Sequence, residues 1–120
     1  MSQNLVSNFV HKPAVITIAS DDDLSAAVDC LGLVLIGLKM PAAWTAGDIT
    51  FHGSIDGSAF AVVMDEDGTA ITITGPAADE LLMLKTDTPL IGGLTHLKVA
   101  SSVGQAADRT VWFIFLVPNA

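Results

Sequence analysis

Charge is scarce in this chain, and positive charge most of all: of 120 residues, Asp and Glu number 13 and Lys and Arg only 5. Nucleic-acid binding depends on neutralising phosphates, and Lys12, Lys39, Lys85, Lys98 and Arg109 are too scattered to form a basic stripe. Neither a nucleic acid nor an anionic membrane surface is therefore an expected partner. Cys30 is the single cysteine, so no disulfide can close within the chain. In its apolar surroundings it reads as a buried, inert thiol. Tyrosine is absent, which removes a common acid and oxyanion donor. The opening MSQNLVSNFVHKP has no basic segment followed by an apolar one, so it does not read as a secretion signal. Leu31–Met40 is strongly apolar, but it is about half the length that spans a bilayer and contains Gly32, Gly37 and Lys39. The expectation is a soluble protein made in a reducing cytoplasm.

What is present is apolar and strand-like. Hydrophobic residues make up 51% and charged residues 15% of the chain, against about a quarter charged in an ordinary domain. So little charge implies that part of the surface is covered, by further copies or a larger assembly. The length fits one domain, expected over 14–120, preceded by a polar arm over 1–13 that ends in His11-Lys12-Pro13.

Ala14–Ser20 reads as the first strand, stopped by Asp21-Asp22-Asp23. Leu24–Asp29 is too short to distinguish a strand from a helical turn. Leu33–Met40 is apolar on both faces, as in a strand covered on both sides, and Pro41 ends it. In Asp48–Thr74, Ile49, Phe51 and Ile55 alternate with Thr50, His52 and Ser54; Phe60, Val62 and Met64 follow, then Ile71 and Ile73. The runs are separated by Asp56-Gly57 and Asp67-Gly68, strong hairpin signals because glycine accepts positive φ. Asp79–Lys85, Leu94–Ser101 and Arg109–Val117 complete the set, the last apolar on both faces. The pattern predicts an all-β protein, an antiparallel β-sandwich or jelly roll of about eight strands.

Chemistry-bearing residues are few. His11, His52 and His96 are far apart in sequence, no cysteine pair or HxH spacing suggests zinc, and no Gly-x-Ser-x-Gly elbow suggests a nucleophile. His52 and His96 fall on the polar sides of their strands, where they can meet across a sheet. Asp21, Asp23, Asp65 and Asp67 are hard oxygen donors of the kind calcium selects, but neither acidic cluster fits an EF-hand loop. Turn acids usually bond their own backbone instead. No cofactor, and no enzyme, is expected. Trp112, beside Phe113 and Phe115, belongs to the core or a subunit interface, whereas Trp44 can cap the sandwich or anchor a partner. Arg109 either pairs with Asp108 or another local acid, or reaches a carboxylate on a neighbouring subunit.

Two phrases are distinctive. Leu35–Thr45 (LIGLKMPAAWT), followed by Ile49-Thr50-Phe51 and Ser54-x-Asp56-Gly57, resembles small structural proteins of tailed bacteriophages and prophages. So does Leu97-Lys98-Val99 followed by Gln105–Thr110 (QAADRT). The Ser-x-Asp-Gly turn also resembles one in discoidin-like jelly rolls, a likeness of fold that carries no sugar site. The phage resemblance implies a non-enzymatic virion protein made in the host bacterial cytoplasm, a capsid decoration or cement protein. Its partners would be further copies of itself and the major capsid or other virion proteins. The alternative is a carbohydrate- or receptor-binding module of a tail or fibre. The expected contact residues are Phe9 and Pro13 in the arm, Trp44, Arg109 and Trp112.

Overall fold

A computed structural model describes residues 9–84 and 91–118, with side chains for 14–84 and 91–116, and among these residues nine strands form two antiparallel sheets. The strands are β1 (Phe9–Ile18), β2 (Val28–Asp29), β3 (Val34–Lys39), β4 (Ile49–Ser54), β5 (Ala61–Val62), β6 (Leu81–Met83), β7 (Ile91–Gly92), β8 (His96–Ser101) and β9 (Arg109–Pro118). Sheet A runs β1-β9-β3-β6, with β7 beside β6 on the same flank of β3; sheet B runs β2-β8-β4-β5. Among the described residues there is no helix. The fold is an all-β antiparallel sandwich.

Two expectations shift in detail. The first strand begins at Phe9, not Ala14: residues 9–13, assigned to an arm by their polarity, continue the ladder with Pro118 to Ile114 of β9. Residues 1–8 lie outside the described residues. Pro13 is compatible with this because β1 is an edge strand, where a missing donor is tolerated. Among the described residues the count is nine: Val28–Asp29 resolves the undecided Leu24–Asp29 as a strand, Ile91–Gly92 adds one too short to leave an alternation, and the expected strand at Ile71–Ile73 does not form.

The core lies between the sheets. β9 contributes Val111, Phe113 and Phe115, β1 contributes Ile16 and Ile18, and β4 contributes Ile49 and Phe51. β8 adds Leu97 and Val99, and β3 adds Leu35 and Leu38. The last pair breaks strict alternation because a bulge between Leu35 and Gly37 shifts the register against β9. Phe51 and Phe113 meet across the sandwich at 6.2 Å between ring centroids, and Phe113 meets Phe115 edge-on at 5.8 Å, arrangements favoured by the aromatic quadrupole.

The hairpin after β4 departs from its expected frame. Ile55 is 78% exposed and Ser54 is buried, the reverse of the alternation, because the chain has already entered its turn there. Ser54 Oγ accepts the amides of Asp56 and Gly57, and Gly57 adopts φ +83° with the His96 ring lying where a Cβ would project. Past the turn, Val63 packs on the core, while Val62 and Met64 face solvent. Ile71 and Ile73 do turn inward, but they hold by isolated pairings with Val63 and Ile49 rather than as a strand.

Candidate interaction surface

Three places gather most of the residues singled out by sequence. The first is a corner built around a buried Gln105. Gln105 is wholly buried, and its amide accepts from Thr45 N–H (2.9 Å) and donates to Thr45 C=O (3.0 Å) and Ser101 Oγ (3.0 Å). Arg109 donates through Nε to Gln105 Oε1 (3.3 Å) and through its terminal nitrogen to Thr45 Oγ1 (3.2 Å). Asp108, the expected local partner of Arg109, instead accepts Ser20 N–H at 2.7 Å. The two distinctive phrases of the sequence therefore meet in space and bond each other. Trp44 belongs to the same corner: it packs against the core and its Nε1 donates to Gly47 C=O at 3.2 Å, which caps the sandwich.

The second place is the turn at Ser54–Ala59. Asp56 accepts the amides of Ser58 and Ala59 and the Ser54 hydroxyl. These bonds, led by that from Ala59, hold its carboxyl below the usual carboxylate range. Ser54, Asp56 and His96 are thus neighbours, but the ring of His96 contacts Thr95 Oγ1 (3.0 Å), while Ser54 Oγ is occupied by the turn. Ser54 Oγ donates to the Asp56 carboxylate at 3.0 Å, and both groups are tied into the turn by its amides. His52 stands opposite Lys98 and His96 opposite Ser54, so the two histidines are not register partners.

The acidic turns behave similarly. Asp65 Oδ1 accepts the amides of Asp67 and Thr69, and the backbones of Asp21, Asp22 and Asp23 bond Gln105 and Ser101. Among the described residues, no three His, Cys, Asp or Glu side chains come together to hold a metal. A groove of about 290 Å³ between the sheet edges is lined by 71–74 and 82–84, without a titratable side chain. A second hollow of about 230 Å³ holds Asp23 and His52, and among the described residues no hydrogen bond joins them.

The third place is the outward face of sheet A. In β9 the core takes Val111, Phe113 and Phe115, so Trp112 points away from it and is 45% exposed. Of the two sites expected for it, the core is thereby excluded. Register sets Trp112 beside Val15 of β1 and Lys39 of β3, and Lys39 beside Leu81 of β6. The next row outward holds Ile114, Gly37 and Met83. Val15, Leu81 and Met83 are exposed like Trp112. The one charge among these residues is Lys39, whose ammonium lies 3.8 Å from Asp79 at the edge. Gly37 is required because a Cβ there would meet Leu82 C=O at 2.5 Å and Met83 Sδ at 2.9 Å. Met83 therefore leans over the gap and levels the face. Phe9 and Pro13 lie on the adjoining β1, their side chains outside the described residues. No signal in RTVWFIFLV distinguishes inward from outward positions, since both are apolar.

No family model, curated protein or solved structure matches the chain.

Proposed function

We propose that this chain is a non-catalytic structural protein of a tailed-phage particle, a jelly roll present in many copies on or near the capsid. The observation that carries the reading is the outward face of sheet A, an open, nearly uncharged strip of Val15, Trp112, Leu81 and Met83 across four strands. Exposed apolar patches of that kind serve contact rather than chemistry. The jelly-roll reading draws on the strand orders β1-β9-β3-β6 and β2-β8-β4-β5, in which most successive strands change sheet. The virion reading draws on the resemblance of the MPAAWT and QAADRT phrases, which form one bonded corner. Many weak contacts related by particle symmetry reinforce each other, so each copy needs only a modest one. Mass spectrometry of gradient-purified particles from the phage or prophage that encodes the chain tests the proposal. It should find the protein in stoichiometric amounts; its absence would overturn the reading.

A further inference from the structure

The row Val15–Trp112–Lys39–Leu81 is its own complement. Consider a two-fold axis parallel to the strands and midway between β9 and β3, in the plane where two such faces meet. The rotation lays β9 of one copy over β3 of the other, and β1 over β6. Trp112 then faces Lys39, and Val15 faces Leu81, each contact occurring twice as an isologous interface requires. One row outward, Ile114 faces Gly37 with Met83 leaning over it, so an apolar contact closes that row as well. The Lys39 ammonium, bonded to Asp79 C=O and 3.8 Å from its carboxylate, then lies beside the indole of the other copy, where a cation is attracted to an aromatic face. The chain already uses that pairing on sheet B, where Lys98 Nζ lies 4.3 Å from the centre of the Phe60 ring.

Charge does not oppose the same partner. The molecule carries a net −8, yet the central row of this face holds Lys39 and no acid, and the acid beside it, Asp79, sits at the edge 3.8 Å from the Lys39 ammonium. Two copies meeting here keep their central rows free of acid-on-acid contact. Exposure of the four apolar side chains corresponds to about 450 Å² of open surface, within the ~300–600 Å² of the largest, often functional, patches on monomers. Lys39 and the exposed Thr17 and Thr110 at its border bring the face toward the ~800 Å² that each partner gives a standard interface.

We propose that the outward face of sheet A pairs with the same face of a second copy, Trp112 of each lying over Lys39 of the other. This inference rests on the assembly reading above and names its partner. Sedimentation velocity of the full chain over a concentration series should give a reversible dimer. Trp112→Thr and Lys39→Glu should each weaken it at least about tenfold, whereas Val62→Thr on sheet B should not; circular dichroism melts check that each variant is folded. Facing sheets lie about 10 Å apart, too far for a direct disulfide but within reach of a short thiol-reactive bismaleimide. Mixing Val15→Cys chains with Leu81→Cys chains and adding that cross-linker should therefore yield covalent dimers across the axis, in excess over either chain alone. A wild-type chain monomeric at every concentration, or a dimer indifferent to Trp112→Thr, overturns the proposal, as does absence of the mixed cross-link. A monomeric protein that is nonetheless recovered in particles would sink this contact and leave the assembly reading standing. A dimer absent from particles would do the reverse.

Discussion

Gln105 engages both ends of its amide inside the sandwich corner, so its removal strands several groups at once. Gln105→Ala leaves Thr45 N–H and C=O and Arg109 Nε without their partner in a half-buried corner, where each unsatisfied group costs at most about 1–3 kcal/mol. Partial rescue by water brings the expected loss to about 3 kcal/mol, or a melting temperature lower by roughly 10 °C for a domain of this size. A calorimetric scan checks it, and Asp108→Ala, which removes a single exposed bond to Ser20, should shift the melt far less. Cys30 offers a second test at this scale. Burial, with the Asp29 carboxylate beside it, pushes its thiol up, so it should resist a disulfide reagent near neutral pH until the protein unfolds. Rapid labelling of the native chain would contradict the buried placement. That cysteine was legible from its apolar surroundings. Arg109 was not, because its partner Thr45 is 64 residues away and an adjacent Asp108 offered the simpler ion pair.

At the scale of elements, alternation was readable wherever a strand has one wet face and failed at strand ends. Ile49 and Phe51 face inward as their spacing requires, but the frame slips at Ser54, where the turn takes over, and Val63 rather than Val62 faces the core. For β9 the problem was different: a strand apolar on both faces fixes its own existence and not its parity, so Trp112 and Phe113 could not be assigned to sides. The turn itself was legible as Ser-x-Asp-Gly, and its chemistry has a pH signature. The Asp56 carboxyl is held below its ordinary value of 3.8 by the Ala59 and Ser58 amides and the Ser54 hydroxyl. A depressed folded-state pKa contributes stability above the unfolded value, and that contribution is lost as pH falls through the folded one. The Ser58 and Ala59 amide resonances should therefore titrate with a midpoint under 3.8, and the step should vanish in Asp56→Asn. A midpoint at or above 3.8 would contradict the bonding described here. Gly37→Ala tests β3: the new methyl meets Leu82 C=O in a backbone that cannot swing away, so a loss of about 1–3 kcal/mol is expected in denaturant melts.

The whole molecule is closed by its ends. β1 pairs with β9 along ten residues, and β9 also pairs with β3, so the last strand lies between the first and the third. Sheet A therefore cannot assemble until nearly all of the chain is available, and the same strand carries three core residues, Val111, Phe113 and Phe115. Such non-local pairing must overcome loop-closure entropy before contacts repay it, which places folding of β-sandwiches in the millisecond-to-second range, as a single cooperative event. Two results follow at this scale. Stopped-flow refolding followed by tryptophan fluorescence should give one main phase, because Trp44 in the corner and Trp112 on β9 become ordered together. A chain ending before Arg109 should lack the sandwich altogether: β1 and β3 lose their shared neighbour, Phe51 loses its partner Phe113, and the remaining sheet B has an open apolar face. Its amide spectrum should show the narrow dispersion of an unfolded chain. A dispersed spectrum from that fragment would mean that sheet B and the first strands hold without β9, contrary to the topology. The single change Phe113→Ala is the milder version, removing the ring that touches both Phe51 and Phe115, and should cost about 3–5 kcal/mol, enough to leave a marginal domain partly unfolded near body temperature.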